Sequence, residues 1–307
     1  MPPQDYVLTS AAFPTLLGTL GITTQNSYIG AHVLIALAAI AAPFLTNRSL
    51  YFANMSRLLF VMLAGGPVLA LLLLGIGGYY AITIIAMSVA VLTRNSWLSY
   101  VAWVVVGVNH SALGLISLVI WAAVLLARDG NAPSASRLQQ IRQVALSLAS
   151  LVLGAALVAI VTAAAWGDIT SRWEVFRQYE PSHYITMFIG GMPFLAFSAL
   201  GVGWLVLFDP SVRKRLISRI LVISALLVTM TLPLVAVDQT RVVAIVLYPS
   251  VLLWTLRIAD SSEQRVLNRL WRRWSMPAAV IPVVIILLGS PEIGSWENFL
   301  NWRASLS

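Results

Sequence analysis

The stretch that decides the fold is residues 97–127, which read WLSYVAWVVVGVNHSALGLISLVIWAAVLLA. These 31 residues contain no Asp, Glu, Lys or Arg. A helix rises about 1.5 Å per residue and the hydrocarbon core of a bilayer is about 30 Å thick, so about 20 apolar residues are enough to cross it. The stretch is therefore too long for one ordinary span, and the polar patch Gly107-Val108-Asn109-His110-Ser111 interrupts it at the middle.

The distribution of basic residues indicates how this stretch runs. If residues 97–127 enter the membrane and return to the same side as a re-entrant hairpin, 15 of the 19 basic residues face one side. A single crossing instead splits the basic residues 7 to 12. Because positive charge collects in cytoplasmic loops, we predict the hairpin. Non-helical backbone at membrane depth needs protein or a water-filled cavity around it, so we expect Asn109 and His110 to point into a cavity.

The composition of the whole chain is that of a polytopic membrane protein. Of its 307 residues, 59% are hydrophobic and only 10% are charged, and the mean hydropathy is +0.87. We therefore predict an all-α integral membrane protein in which residues 1–307 form one transmembrane domain. Eight apolar runs are the predicted transmembrane helices: residues 28–46, 58–77, 79–93, 143–166, 186–207, 216–237, 241–258 and 276–290.

Both ends of the chain are predicted to be extracytoplasmic. Residues 1–27 contain no Lys or Arg, and basic residues are the ones kept on the cytoplasmic side. Residues 291–307 place Trp296, Phe299 and Trp302 at helical spacing. This spacing predicts an amphipathic helix that lies on the outer leaflet of the membrane.

Charge and cysteine content exclude several classes of function. The formal net charge is +8, but the basic residues lie in short loops between apolar runs, where they orient the spans, so we predict no nucleic-acid partner. The chain has no cysteine, which excludes disulfides, thiol catalysis and thiolate metal sites. Its basic residues are 18 Arg and one Lys, a usage typical of GC-rich bacteria. The expected location is a bacterial plasma membrane, in contact with its lipids.

The stretch Val237-Asp238-Gln239-Thr240-Arg241-Val242 places an acid and a base three residues apart between two apolar runs. A charged side chain at the bilayer centre costs at least about 2.5–3.5 kcal/mol, so we place this stretch at an outer turn between two spans. One interpretation is a functional site in which Asp238 is catalytic and Arg241 binds substrate. The other is an ion pair that closes a tight extracytoplasmic turn.

The largest predicted outer loop, residues 166–184, holds further binding candidates. Arg172, Arg177 and Tyr184 would bind substrate, because Arg forms paired hydrogen bonds with phosphate and Tyr packs against a sugar face. The alternative for both arginines is ion pairing with glutamates of the same loop. The alternative for the aromatic residues is an interfacial belt that needs no ligand.

Glu180 and His183 in this loop are a candidate catalytic pair, since a carboxylate or imidazole can take a proton from an attacking hydroxyl. Their i, i+3 spacing also occurs in carboxylate–histidine metal sites. However, Pro181 breaks a helix between them and no second histidine is predicted on the outer face. We therefore predict that the protein holds no metal.

Two parts of the chain resemble a known superfamily of membrane enzymes. The residues that carry the resemblance are Tyr80 to Trp97 with its RNSW ending, Val101-x5-Gly107-x2-His110-x3-Gly114-Leu115, and Asp238-x-Thr240-Arg241. These motifs are similar to those of the GT-C superfamily, membrane glycosyltransferases that use polyprenyl-phosphate-linked sugars. The resemblance covers roughly residues 58–127 and 216–258.

The resemblance implies a glycosyltransferase with a polyprenyl-phosphate sugar as donor and an envelope glycan or glycolipid as acceptor, working on the extracytoplasmic face without a cofactor. Enzymes of this superfamily usually carry a catalytic acid in the first extracytoplasmic loop. Here only Asp5 lies near that place, which makes it a further catalytic candidate. Two other interpretations stay open: a lipid or small-molecule transporter, and a non-catalytic membrane subunit.

Overall fold

A computed structural model of the protein describes residues 18–22, 24–47, 79–128 and 134–166, and the single positions 182, 185, 245, 246, 248, 249 and 252. Four helices lie in this part of the chain: α1 (Gln25–Thr46), α2 (Tyr79–Leu92), α3 (Ser96–Arg128) and α4 (Ser134–Trp166). The described residues form no strand, in agreement with the predicted all-α class. Three windows are long and apolar enough to cross a membrane: Ile29–Thr46, Ser96–Ala122 and Arg137–Val161.

Helix α1 corresponds to the first predicted span. It begins after Thr24, whose side chain accepts a hydrogen bond of 3.3 Å from the backbone N–H of Ser27 and so satisfies one of the free donors of the first turn. Its 22 residues extend for about 33 Å. Ala36 and Ala39 are buried where α1 packs on α2, whereas Leu34 is exposed, as expected for a helix with one lipid-facing side.

Helix α2 is short and is joined to α3 by a tight turn. Its 14 residues extend for about 21 Å. Asn95 caps α3, because its side-chain oxygen accepts a 3.0 Å hydrogen bond from the N–H of Trp97. The Ser99 hydroxyl then donates a 2.7 Å hydrogen bond to the Ala90 carbonyl. This bond holds the end of α2 against the beginning of α3, so the two helices run antiparallel.

Helix α3 is not a straight rod, because the chain reverses its direction at His110. This residue has non-helical backbone angles (φ −152°, ψ 66°). The rings of Trp103 and Trp121 lie 5.7 Å apart, although 18 residues of straight helix would separate them by about 27 Å. Helix α3 is therefore a pair of antiparallel arms, the first before His110 and the second after it. The fold-back predicted for residues 97–127 is present, while its re-entry with respect to a membrane stays a prediction.

Helix α4 crosses the hairpin at two glycines. A Cβ atom on Gly107 would lie 3.1 Å from the backbone nitrogen of Ala155, and one on Gly154 would lie 2.9 Å from that of Val108. The Cβ atom on Gly107 would also overlap the carbonyl oxygen of Leu151, and the one on Gly154 would overlap that of Val104. The two helices thus approach backbone to backbone, a contact that small residues make possible between membrane helices.

Helix α4 begins nine residues before the predicted span of 143–166. The added turns contain Arg137, Gln139, Gln140 and Arg142. These side chains lower the hydropathy of the segment without opposing a helix, because Arg and Gln are good helix formers. Hydropathy therefore located the most apolar part of α4, whose window capable of crossing a membrane is Arg137–Val161. The whole helix is about 50 Å long.

Part of the predicted span 241–258 packs against the hairpin. Ile245, Val246, Tyr248 and Leu252 are helical and fully buried. They belong to the same apolar core as α1, α2 and α3. The following predictions lie outside the described residues: the spans at 58–77, 186–207, 216–237 and 276–290, the terminal segment 291–307 and most of segment 1–27.

Candidate functional site

The fold-back of α3 places polar side chains inside an otherwise apolar core. Asn109 and His110 are each only 6% exposed. The imidazole of His110 stacks on the ring of Tyr80, with ring centroids 5.5 Å apart and an angle of 19° between the planes. Tyr80 is itself buried, near the beginning of α2. We call these three residues the hairpin-tip site.

The local sequence explains why the helix breaks here. Asn and Ser side chains compete with the helix for backbone hydrogen bonds, so Asn109 and Ser111 favour an interruption on both sides of His110. Gly107 and Gly114 flank the break, and a Cβ atom on Gly114 would lie only 2.6 Å from Cγ1 of Val106. Gly114 therefore lets the two arms close tightly behind the reversal, while Gly107 lets α4 approach the first arm.

The antiparallel packing of α2 and the first arm fixes the position of the hairpin-tip site. Ser99 bonds to Ala90 at one end of this pair, and His110 stacks on Tyr80 at the other end. The two ends are separated by about 15–17 Å, the length of helix between Tyr80 and Ala90 and between Ser99 and His110. The hairpin-tip site thus lies at the opposite end of the pair from the Arg94 turn.

A second set of polar contacts joins the hairpin to the helical residues around Tyr248. The hydroxyls of Tyr248 and Ser88 share a 2.7 Å hydrogen bond, and Ser88 also donates to the Ile84 carbonyl at 2.8 Å. On the second arm, the Ser117 hydroxyl donates to the Ile245 carbonyl at 3.4 Å. Because all these hydroxyls are buried, the bonds also specify how Ile245 and Tyr248 are oriented against α2 and the second arm.

Between the arms of α3, the Trp103 and Trp121 indoles are both fully buried at an interplanar angle of 53°. Their N–H groups have no hydrogen-bond partner among the described residues, and neither has the buried Ser147 hydroxyl of α4. Leaving a buried donor without a partner costs about 1–3 kcal/mol. These two indoles and the Ser147 hydroxyl are therefore buried donors of the hairpin and α4 that the described residues leave unsatisfied.

The described helices supply no carboxylate. Among these residues no group of three His, Cys, Asp or Glu side chains could hold a metal ion. The hairpin-tip site itself offers imidazole, amide and phenol groups, so a carboxylate or guanidinium acting there would have to come from another part of the chain.

Of the site residues predicted from sequence, the structure describes His110 and Asn109 and brings them together at the hairpin tip. The others lie outside the described residues: Asp5, Arg172, Arg177, Glu180, His183, Tyr184, Asp238 and Arg241. Sequence reasoning missed the contacts of Tyr80, Ser88, Ser117 and Tyr248. The polar residues inside apolar runs could have indicated that buried contacts exist. They could not indicate the partners, because those of Ser88 and Ser117 lie more than a hundred residues away in sequence.

Comparison of the chain with protein-family models, with curated proteins and with solved structures gave no match in any of the three.

Proposed function

We propose that the protein is a membrane glycosyltransferase that transfers a sugar from a polyprenyl-phosphate donor to an envelope glycan or glycolipid on the extracytoplasmic face of a bacterial plasma membrane. The observation that supports this most is the buried polar fold-back at Asn109 and His110. Burying polar groups in hydrocarbon costs free energy, and non-helical backbone at membrane depth is tolerated where protein surrounds it or where it lines a water-filled cavity. The proposal takes Asn109 and His110 to line such a cavity. The same residues carry the resemblance to the GT-C superfamily.

The chain itself limits how far the Asp238–Arg241 turn can lie from the hairpin. Ile245 accepts a hydrogen bond from Ser117, which lies seven residues, or about 10 Å of helix, beyond His110. Arg241 precedes Ile245 by four residues, a distance of at most about 15 Å. Together these two lengths of chain come to at most about 25 Å, and the proposal is that Arg241 and His110 act in one site.

In this proposal the acceptor hydroxyl attacks the anomeric carbon of the donor sugar, and the polyprenyl phosphate leaves with the electrons of the broken C–O bond. Arg241 binds the phosphate through two N–H groups and stabilises the charge that develops on it. Asp238 accepts the proton of the acceptor hydroxyl or positions the donor. Asn109 and His110 bind the substrate.

The outer loop supplies further residues in the proposal. Glu180 with His183 is the alternative base pair, and Asp5 is a further candidate for the catalytic acid. Arg172, Arg177 and Tyr184 bind the donor or acceptor at the surface. None of these assignments requires a metal or an organic cofactor.

A transporter is the second candidate, because transporters also place substrate sites at broken membrane helices. The non-helical residue inside α3 favours it. Transport requires the substrate to appear on the opposite side of the membrane chemically unchanged, whereas transfer consumes the donor. The two functions are therefore separable in one preparation.

The test is to reconstitute the full chain in proteoliposomes with a panel of polyprenyl-phosphate sugars and lipid-linked glycan acceptors. Consumption of the donor with formation of a glycosylated acceptor supports the enzyme. Appearance of intact donor in the opposite leaflet, without a product, would support transport. If neither occurs with any member of the panel, the proposal fails for these substrates and the non-catalytic subunit becomes the better interpretation.

Variants of Arg241 sharpen this test. Removing a charged hydrogen bond costs about 2–5 kcal/mol where the partner charge is left buried, a loss of roughly thirtyfold or more in rate. We expect Arg241→Ala to abolish transfer in folded protein, Arg241→Lys to retain a small part because Lys lacks the fork of donors, and Asp238→Asn to be nearly as damaging. Arg303→Ala is the control for loss of one outer-face charge. Transfer by Arg241→Ala at the wild-type rate would show that the turn is structural.

A further inference from the structure

The described helices gather all their charged residues at one end. These residues are Arg94, Arg128, Arg137 and Arg142. Arg94 lies in the turn before the first arm of α3, and the antiparallel second arm returns Arg128 to the same end. The described residues at this end contribute only positive charge, because they include no Asp or Glu; in the sequence, Asp129 follows Arg128. We call this end the basic end.

The length of the α3–α4 connection brings the beginning of α4 to the basic end as well. Leu151 of α4 contacts the second arm beside Gly114. If α4 started at the hairpin-tip end, Arg128 and Ser134 would lie in opposite directions from that contact. Their separation would then be almost 50 Å, the helix length from Gly114 to Arg128 plus that from Ser134 to Leu151. The six Cα steps between them span at most about 23 Å. Arg137 and Arg142 therefore lie towards the basic end.

The basic end exposes both arginine side chains and large apolar side chains. Arg94, Arg137 and Arg142 are exposed. Beside them Trp97 is 71% exposed, Leu138 70% and Ile141 53%. A helix end that faced only water would be expected to expose polar residues here, while one inside hydrocarbon would not carry arginines. The mixture matches the boundary between lipid headgroups and acyl chains, where Trp and Arg both concentrate.

We propose that the basic end is a binding surface for anionic phospholipid headgroups. Arg94, Arg137 and Arg142 contact the headgroup phosphates, and Trp97 and Leu138 lie against the upper acyl chains. Guanidinium groups suit this role because they bind phosphate in a planar, two-point geometry. Each basic residue near a membrane surface adds attraction to anionic lipid. This surface is separate from the hairpin-tip site and does not depend on the proposed enzyme activity.

The test uses the full chain purified in an uncharged detergent, with thermal unfolding followed in the presence of phosphatidylglycerol or phosphatidylcholine. We expect phosphatidylglycerol to raise Tm by at least about 2–4 °C and phosphatidylcholine to have little effect. The triple variant Arg94→Gln, Arg137→Gln, Arg142→Gln should lose most of this rise. The matched triple Lys variant keeps the charge and should retain most of it. A full rise in the Gln variant would overturn the proposal.

Two further measurements separate a lipid site from other anion sites and do not require a folded variant. In native mass spectrometry of the wild-type chain, an equimolar lipid mixture should leave mainly phosphatidylglycerol bound, and equal retention of both lipids would overturn the proposal. Inorganic phosphate and poly-glutamate should each leave Tm nearly unchanged. An equal rise with phosphate would indicate a simple anion site, and one with poly-glutamate would indicate an acidic protein partner.

Discussion

His110 is the residue at which α3 departs from helical geometry, and its ring has two separable properties. Its flat face stacks on Tyr80, and its two nitrogens can donate or accept hydrogen bonds. Aromatic stacking contributes about 0.5–1.5 kcal/mol to stability. A substitution that keeps the ring but removes the nitrogens therefore separates packing from chemistry.

We expect His110→Phe to lower sugar transfer by about tenfold or more while Tm changes little, because one hydrogen bond to a charged group contributes about 1.5–3 kcal/mol. His110→Leu should lower both, since it also removes the stacking on Tyr80. The measurements are donor consumption in proteoliposomes and Tm in detergent. If His110→Phe retained full transfer, His110 would be a packing residue only.

At the scale of elements, the contact between α3 and α4 depends on the absence of two side chains. In Gly107→Ala the new Cβ atom would overlap the Leu151 carbonyl, and in Gly154→Ala it would overlap the Val104 carbonyl. These backbone atoms cannot move aside as the end of a flexible side chain can. We expect each change to destabilise the protein by about 1–3 kcal/mol, the usual cost of overpacking. Thermal unfolding in detergent measures this.

The control for the glycine variants is Gly30→Ala in α1, where a Cβ atom would meet nothing within 4 Å. Alanine has the higher helix propensity, so this change should leave Tm unchanged or raise it. If Gly107→Ala and Gly30→Ala changed Tm by the same amount, the close contact between α3 and α4 would be contradicted.

The hydrogen bond between Tyr248 and Ser88 joins two elements that are 160 residues apart. A double-mutant cycle with Tyr248→Phe and Ser88→Ala should give a coupling free energy of about 0.6 kcal/mol, and not above about 1.7 kcal/mol, the range found for hydrogen bonds between membrane helices. Both changes leave the apolar packing largely intact. A coupling of zero would mean that the two hydroxyls are not partners in the membrane.

For the whole molecule, the arrangement in the membrane is the most general prediction. The chain has no cysteine, so each introduced cysteine is a unique label. Cysteines at Ser134 and Ser262 should react only from the cytoplasm, and those at Ser171 and Ser305 only from outside, because the predicted re-entrant topology would place 15 of 19 basic residues on the cytoplasmic side. Labelling of positions 134 and 171 with the opposite sidedness would contradict this topology.

The prediction of the fold from sequence was good where the signal is local. Apolar length located α1 and α2 within a few residues, and the polar patch around Asn109 located the reversal of α3. It was poor for the beginning of α4, because residues that favour a helix extend further towards the N-terminus than the apolar residues do. For the site, Asn109 and His110 were predicted as a pair, but the stacking of His110 on Tyr80 was not.

The sequence by itself determined that the described residues are helical and apolar enough to cross a membrane, and it located the hairpin and the arginines beside it. Each of these depends on properties summed over neighbouring residues: transfer free energy, helix propensity and loop charge. Only the tertiary structure decided that His110 stacks on Tyr80, that Gly107 lies against the Leu151 backbone and that Tyr248 bonds to Ser88. These pairs depend on how helices rotate and cross, which is set by side-chain shapes from distant parts of the chain packing at one place.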